Sequence, residues 1–482
     1  MTAALQPAYG IVAVATVCLL TLGLGLLGAR SSRTTSDFYV ASRAISPRRN
    51  AAAITGEYLS AASFLGLAGL MWSDGADRLW LPVGYTVGYL MLLVLIAAPL
   101  RRSGAYTLPD FAEDRLESRR VRRVVSLLVV AIGWVYLLVQ LQAADLTLRF
   151  LTGAPAWLGG VLVGTVVLTV VSAGGMRTIT LVQSWHYWMK LAALWLPALV
   201  LVVVWIRSGS PGPALPPDQL ESWSEPLSGY AGQDHPLYTV WSTLLGQALG
   251  TMALPHVVVR YYTIRDGRAA RRTTVTVIGL IAAFYLALPI YGILGRVYVP
   301  SLPAGASTDT VMLRLHTSAI PGGVGDTLTT LIAAGAFVAF LSTASGLVVA
   351  VAGVVDQDLV GPALLRATGG DADRLHSFRL SVVVAVLVPL AVAHLLPHVG
   401  VGAVLAATAS LLSLTGRVTE GWAGALTAAP AAWTAPAAFL VAVVVSLLTP
   451  GSIPRGTSRT MVRLHTPEDV RLDRSSRRTA AR

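Results

Sequence analysis

The chain reads as an all-α integral membrane protein of about twelve transmembrane helices, and three observations support this. Of its 482 residues, 54% are apolar and 12% charged, with a mean hydropathy of +0.66. Apolar stretches long enough to cross a bilayer recur along almost the whole length. Arginines cluster in alternate loops, at Arg30 to Arg49, Arg101 to Arg123, Arg260 to Arg272 and Arg366 to Arg379. A β-barrel would show short alternating segments instead.

The first apolar stretch, Ala8–Ala29, has no Lys or Arg before it and Arg30 after it. It is long enough to span, so it is expected to remain as a helix rather than leave as a signal peptide. Further spans are expected at Asn50–Trp72, Leu79–Leu100, Val124–Leu146, Ala156–Gly175 and Thr180–Ile206. Then come Tyr238–Val259, Val275–Val299, Thr327–Val355, Phe378–Leu396, Val399–Leu414 and Trp433–Leu448. Residues 1–450 form one transmembrane unit, and 451–482 a basic tail expected to be partly disordered.

The net charge of +12 does not point to nucleic acid, because basic runs beside membrane spans set topology. The intervening loops are neutral or acidic, and Ser208–His235 carries Asp218, Glu221, Glu225 and Asp234. Basic loops therefore face the cytoplasm of a plasma-membrane protein, with the N-terminus outside and the arginine-rich tail inside. Twelve crossings would leave that tail outside. Either one segment among the short Val399–Leu414 and Gly421–Ala432 stretches fails to cross, or the two form a compact hairpin. The single cysteine, Cys18, excludes an intrachain disulfide.

Within the second span lies Thr55–Gly56–Glu57–Tyr58–Leu59–Ser60–Ala61–Ala62–Ser63. Hydrocarbon tolerates Glu57 and this run of hydroxyls only inside protein or beside a water-lined cavity. The segment reads as a discontinuous helix holding an ion or solute near the midplane. Gly56 and Leu59, three apart, can aim their carbonyls at one point if the helix unwinds. Ala339, Ser342 and Thr343 share a face of the ninth span. Together they make a neutral oxygen cage for a hard monovalent cation. A second reading stays open, in which Ser and Thr bond carbonyls of their own helix or join helix contacts.

Gly246–Gln247–Ala248–Leu249–Gly250–Thr251–Met252–Ala253–Leu254–Pro255–His256 is another interrupted span. It either exposes backbone to a solute or forms a small-residue packing face with a proline kink. His256 is expected at the membrane interface. Gln183 and Lys190, the sole lysine, lie seven apart on the sixth span. Lys190 sits about 15 Å from its helix start, where it can pair with Glu57, attract an anionic solute, or form a purely structural ion pair. No nucleophile, phosphate loop or metal cluster argues for an enzyme.

In order along the chain stand Asp37–Phe38–Tyr39, Ser60–Ala61–Ala62–Ser63–Phe64–Leu65–Gly66, and Pro99–Leu100–Arg101 with Tyr106–Thr107–Leu108–Pro109–Asp110. Gly174–Gly175–Met176 with Val182–Gln183, Leu254–Pro255–His256 with Arg260, and Ser342–Thr343 leading to Asp358–Leu359 follow. In this order they make the chain resemble the sodium:solute symporter family, its cation/acetate symporter branch most of all. The resemblance covers roughly Ser36 to His465. It implies the five-plus-five inverted-repeat, LeuT-like fold, the second to sixth helices being mirrored by the seventh to eleventh. It places the sodium site on Gly56, Leu59, Ala339, Ser342 and Thr343, and a solute contact on Ser63. Gln183 stands where sugar-carrying relatives have aspartate, and acetate-type proteins are similar to this chain there.

The expected function is therefore a secondary symporter that imports a small, acetate-like monocarboxylate by alternating access. Na⁺ is the expected coupling ion, with H⁺ possible and Glu57 then implicated. The solute is expected against Ser63, Phe64, Gly250, Thr251 and Lys190. The bilayer and the carboxylate are the expected partners, and nucleic acid is not one. The chain departs from the family after the tenth span, where tens of residues around Leu414–Ala432 are expected to be missing. That shortened C-terminal region keeps open a non-transporting solute sensor, or a degenerate, truncated symporter of the same fold.

Overall fold

The computed structural model describes residues 7–30, 32, 34–213, 215–216, 220, 223–230, 234–368, 374–395, 421–454 and 456–466. Helix dominates, and the only β-pairing among the described residues is an isolated bridge between Ile45 and Ile264. The first span is α1 (Pro7–Ala29). The second is split into α2 (Pro47–Tyr58), a π-helical turn (Ala62–Gly66) and α3 (Leu67–Asp74). Gly75, at φ 77°, turns the chain into α4 (Trp80–Met91) and α5 (Ala97–Ser103). Helix α6 (Arg119–Thr152) starts on Ser118, whose side chain accepts the Val121 amide.

The two spans expected at Ala156–Gly175 and Thr180–Ile206 form one helical run, α7 (Leu158–Arg207), folded at Gly175. Gly175 stands at φ 55°, where a side chain is strained. A Cβ there would also lie 2.6 Å from the Phe38 Cα. Glycine thus lets arms 158–174 and 176–207 double back. The next span breaks as its sequence implied, into α8 (Pro236–Ala253) and α9 (Pro255–Val259). Pro255 has no amide to donate and holds Leu254 out of helical geometry, at ψ 117°. Then come α10 (Gly267–Tyr285), capped by Asp266, and α11 (Leu288–Tyr298).

Helix α12 (Gly323–Val355) runs through the centre and packs chiefly against α7 and α6. Its membrane-length window is wholly buried. At one end Arg122 pairs with Asp110 (2.9 Å), Glu113 (2.8 Å) and Asp358 (2.6 Å), tying the start of α6 to the turn after α12. The chain continues through α13 (Arg374–Leu395) and, past a short helix at Gly421–Ala428, α14 (Ala431–Leu448). Every span expected up to residue 395 has its helix, while Val399–Leu414 lies outside the described residues. The tail opens with α15 (Thr457–His465), whose Leu464 carbonyl accepts from Arg102 at 3.2 Å. Among the described residues, nine helical runs are long and apolar enough to cross a membrane, some of them folded on themselves.

Candidate functional site

Helix α2 ends because Leu59 leaves helical geometry, at φ −72° and ψ 86°. An unbroken helix would supply the Gly56 and Leu59 carbonyls with amide donors four residues on. The break leaves both oxygens free for other donors. Two elements converge on this stretch of backbone. From α12, the Ser342 hydroxyl donates to the Gly56 carbonyl at 2.8 Å, and the Thr343 hydroxyl to the Glu57 carbonyl at 2.6 Å. From the second arm of α7, Lys190 Nζ donates to the Gly56 carbonyl and, at 2.8 Å, to the Leu59 carbonyl. All these residues are fully buried. Ala339 lies one turn before Ser342 on the same buried helix.

The Glu57 side chain belongs to an adjoining network. Its Oε2 pairs with Arg260 Nε at 2.7 Å, both groups fully buried. Arg260 also donates to the Thr180 hydroxyl at 2.6 Å and to the Gln183 amide oxygen. Gln183 passes the connection on, donating to the Ser342 carbonyl at 2.7 Å. The Arg260 carbonyl accepts from Asn50 (3.3 Å) and Thr263 (2.7 Å). A guanidinium serves several acceptors in one plane, which suits this junction better than a single ammonium. Glu57 therefore pairs with Arg260, and Lys190 turns to the backbone. The second carboxylate oxygen of Glu57, Oε1, has no hydrogen-bond partner among the described residues.

A cavity of about 630 Å³ lies beside the same break, lined by Tyr58, Ser63, Tyr85, Gln247, Gly250 and Thr251 among others. Its hydroxyls are loosely paired: Ser63 stands 3.3 Å from the Tyr285 hydroxyl, and Tyr58 is 3.3 Å from that of Thr251. Phe64 and Lys190 do not line it. Phe64 is fully buried and packs its ring 5.9 Å from that of Phe284. Ala62 and Ser63 of the π-helical turn line the cavity, while Phe64, the next residue, packs into the core.

His256 is buried inside the protein, its ring 5.5 Å from Tyr136. The break at Leu254 draws α9 inward and takes the imidazole with it. Arg260 is the buried partner of Glu57 that stood among the loop arginines in the sequence. Its signal was Glu57, an intramembrane carboxylate in need of a cation. Among the described residues, no group of three or more His, Cys, Asp or Glu could hold a metal ion.

Comparison with known proteins agrees with the fold. The model of the sodium:solute symporter family matches residues 38–418. The chain is 30% identical over 377 residues to the uncharacterized symporter YwcA of Bacillus subtilis, covering 76% of this chain and 72% of that protein. It is 28% identical over 397 residues to the monocarboxylic acid transporter of Corynebacterium glutamicum, covering 77% and 70%. Among solved structures, a Na⁺-coupled sialic acid symporter in a substrate-bound outward-open state superposes with a TM-score of 0.64 at 16% identity, covering 81% of each chain. MhsT in complex with L-phenylalanine superposes at 0.51, also 16% identical, over 71% of this chain and 78% of that one. These likenesses establish the fold.

Proposed function

The chain belongs to the sodium:solute symporter family, and from that premise we propose that it imports a small, acetate-like monocarboxylate by alternating access. The observation that carries the reading is the hydroxyl-lined cavity at the helix break, where Ser63, Tyr58 and Thr251 face one space. Hydroxyls held in contacts of 3.3 Å can rotate to donate to a carboxylate. Apolar neighbours such as Ile132, Val135 and Leu254 accommodate a short alkyl chain. The name of the Corynebacterium relative supports this solute class.

Both helices at the cavity are discontinuous, α2–α3 at Leu59 and α8–α9 at Leu254. Such breaks let half-helices reorient while the rest of the bundle holds its packing. Gly56, Leu59, Ala339, Ser342 and Thr343 form the proposed cation site. The family implies Na⁺ there, with H⁺ the other candidate for coupling. The donor set, three carbonyls and two hydroxyls, suits a hard monovalent ion. Na⁺ reaches these oxygens only if the Lys190 ammonium does not hold them. The basic loops are placed in the cytoplasm of a plasma-membrane protein on their charge.

Counterflow of radiolabelled acetate in proteoliposomes tests the solute assignment without any ion gradient. Exchange inhibited by other short monocarboxylates and indifferent to sugars is the expected result. Absence of counterflow with every short carboxylate would overturn the assignment. Binding that persists without exchange would favour a sensor.

A further inference from the structure

We infer that the Lys190 ammonium is itself the cation of the oxygen cage, so that the chain carries its solute without Na⁺ bound there. This deepens the reading above and rests on its assignment of the cage.

A carbonyl oxygen has two lone pairs. At Gly56 both are taken, one by Lys190 Nζ and one by the Ser342 hydroxyl. Leu59 gives its carbonyl to the same nitrogen at 2.8 Å. An alkali ion would need these oxygens, and would meet a fixed positive charge among them. Lys190 is fully buried and forms no ion pair with a carboxylate among the described residues. Glu57, the acidic side chain of α2, is engaged by Arg260. The ammonium is thus compensated by backbone dipoles, as a bound alkali ion would be.

Helix packing delivers the lysine to this point. Gly56 lies directly against the second arm of α7, where a Cβ would run into the Gln183 carbonyl and lie 3.3 Å from the Tyr187 Cβ. Gln183, Tyr187 and Lys190 follow at four and three residues on one face of that arm. One further turn past the contact sets the lysine stem alongside the break. The network of Arg260, Gln183 and the Ser342 carbonyl fixes α7 and α12 in that register.

The test uses the full chain, purified and reconstituted, with Na⁺ replaced by K⁺ or choline. Acetate counterflow in the wild type should change by less than about twofold, and Na⁺ should leave Tm unmoved. Lys190→Ala and Lys190→Met empty the cage, and Na⁺ but not K⁺ or choline should then raise Tm in a saturable way. Adding Ser342→Ala and Thr343→Ala to Lys190→Ala should abolish that gain. A saturable Na⁺-dependent rise of Tm in the wild type, or stimulation of counterflow by about tenfold, overturns the inference. So does the absence of any Na⁺ effect in folded lysine variants. Should neither variant fold, the wild-type arms decide alone. If no short carboxylate exchanges at all, the solute assignment falls while the Tm measurements still decide the role of Lys190.

Discussion

Helices α12 and α14 are almost equally apolar, yet the membrane-length window of α12 is wholly buried and no residue of α14 is buried. Lipid tails solvate leucine as well as a protein core does, so apolarity alone brings no two helices together in a membrane. Shape and polar satisfaction decide. Helix α12 presents Gly335, Ala336, Ala339, Ala344 and Gly346, and its neighbours approach closely. A Cβ at Gly335 would lie 2.6 Å from the Phe64 ring and 2.7 Å from the Ala193 Cβ. Helix α14 presents Phe439, Leu440, Val443 and Leu447 to its surroundings. It is held at its start, where Ser242 and Tyr238 of α8 donate to the Ala429 carbonyl at 2.5 and 2.8 Å.

The largest expected effect lies at the buried end of this comparison. Arg260→Met leaves the Glu57 carboxylate buried without its cation, and breaking such a pair costs about 3–5 kcal/mol. Thermal unfolding in detergent should show a large drop in Tm, with much of it recovered in Glu57→Gln combined with Arg260→Met. A Tm equal to wild type in the single variant would mean that the pair carries no weight. The next effect is at the helix crossing itself. Gly56→Ala drives a methyl group into the Gln183 carbonyl, and overpacking of this kind costs about 1–3 kcal/mol. The counter-test is Gly250→Ala, in the same region but with nothing within 4 Å of a new Cβ. Alanine is the better helix former, so Gly250→Ala should be neutral or stabilising, and equal losses in the two variants would show that the crossing does not set the cost.

Much of this was legible in the sequence because membrane helices announce themselves. The broken second span could be read from Gly56, Glu57 and Ser60, polar or flexible residues inside an apolar run. The spacing of Ser342 and Thr343 placed both hydroxyls on one face, and the structure brings them to the carbonyls of α2. Two things stayed hidden. Arg260 sits at the head of a basic loop, so its charge looked like a topology signal, although it folds back under α2 across 203 positions of sequence. The direction of Lys190 depends on a flexible side chain choosing between a carboxylate and two carbonyls. No one-dimensional pattern encodes that choice, because it turns on Arg260 having already claimed the carboxylate.

The finest distinction between the two helices concerns serine alone. A serine in a membrane helix can bond a carbonyl one turn back or reach across to a neighbour. Both outcomes occur here. Ser446 of α14 donates to Ala442 in its own helix at 2.7 Å, whereas Ser342 of α12 donates to Gly56 of α2. Removing a back-bond leaves the Ala442 carbonyl with its helical donor, so Ser446→Ala should stay within about 0.5 kcal/mol of wild type. Removing the cross-helix bond takes away one of the contacts that hold the break against α12. Ser342→Ala should therefore cost about 0.6 kcal/mol, and up to about 1.7 kcal/mol, the range for hydrogen bonds between membrane helices. Tm measured for both variants under identical detergent conditions separates them. If the two serines behave alike, Ser342 is a helix-internal residue in solution and the oxygen cage loses its contact from α12.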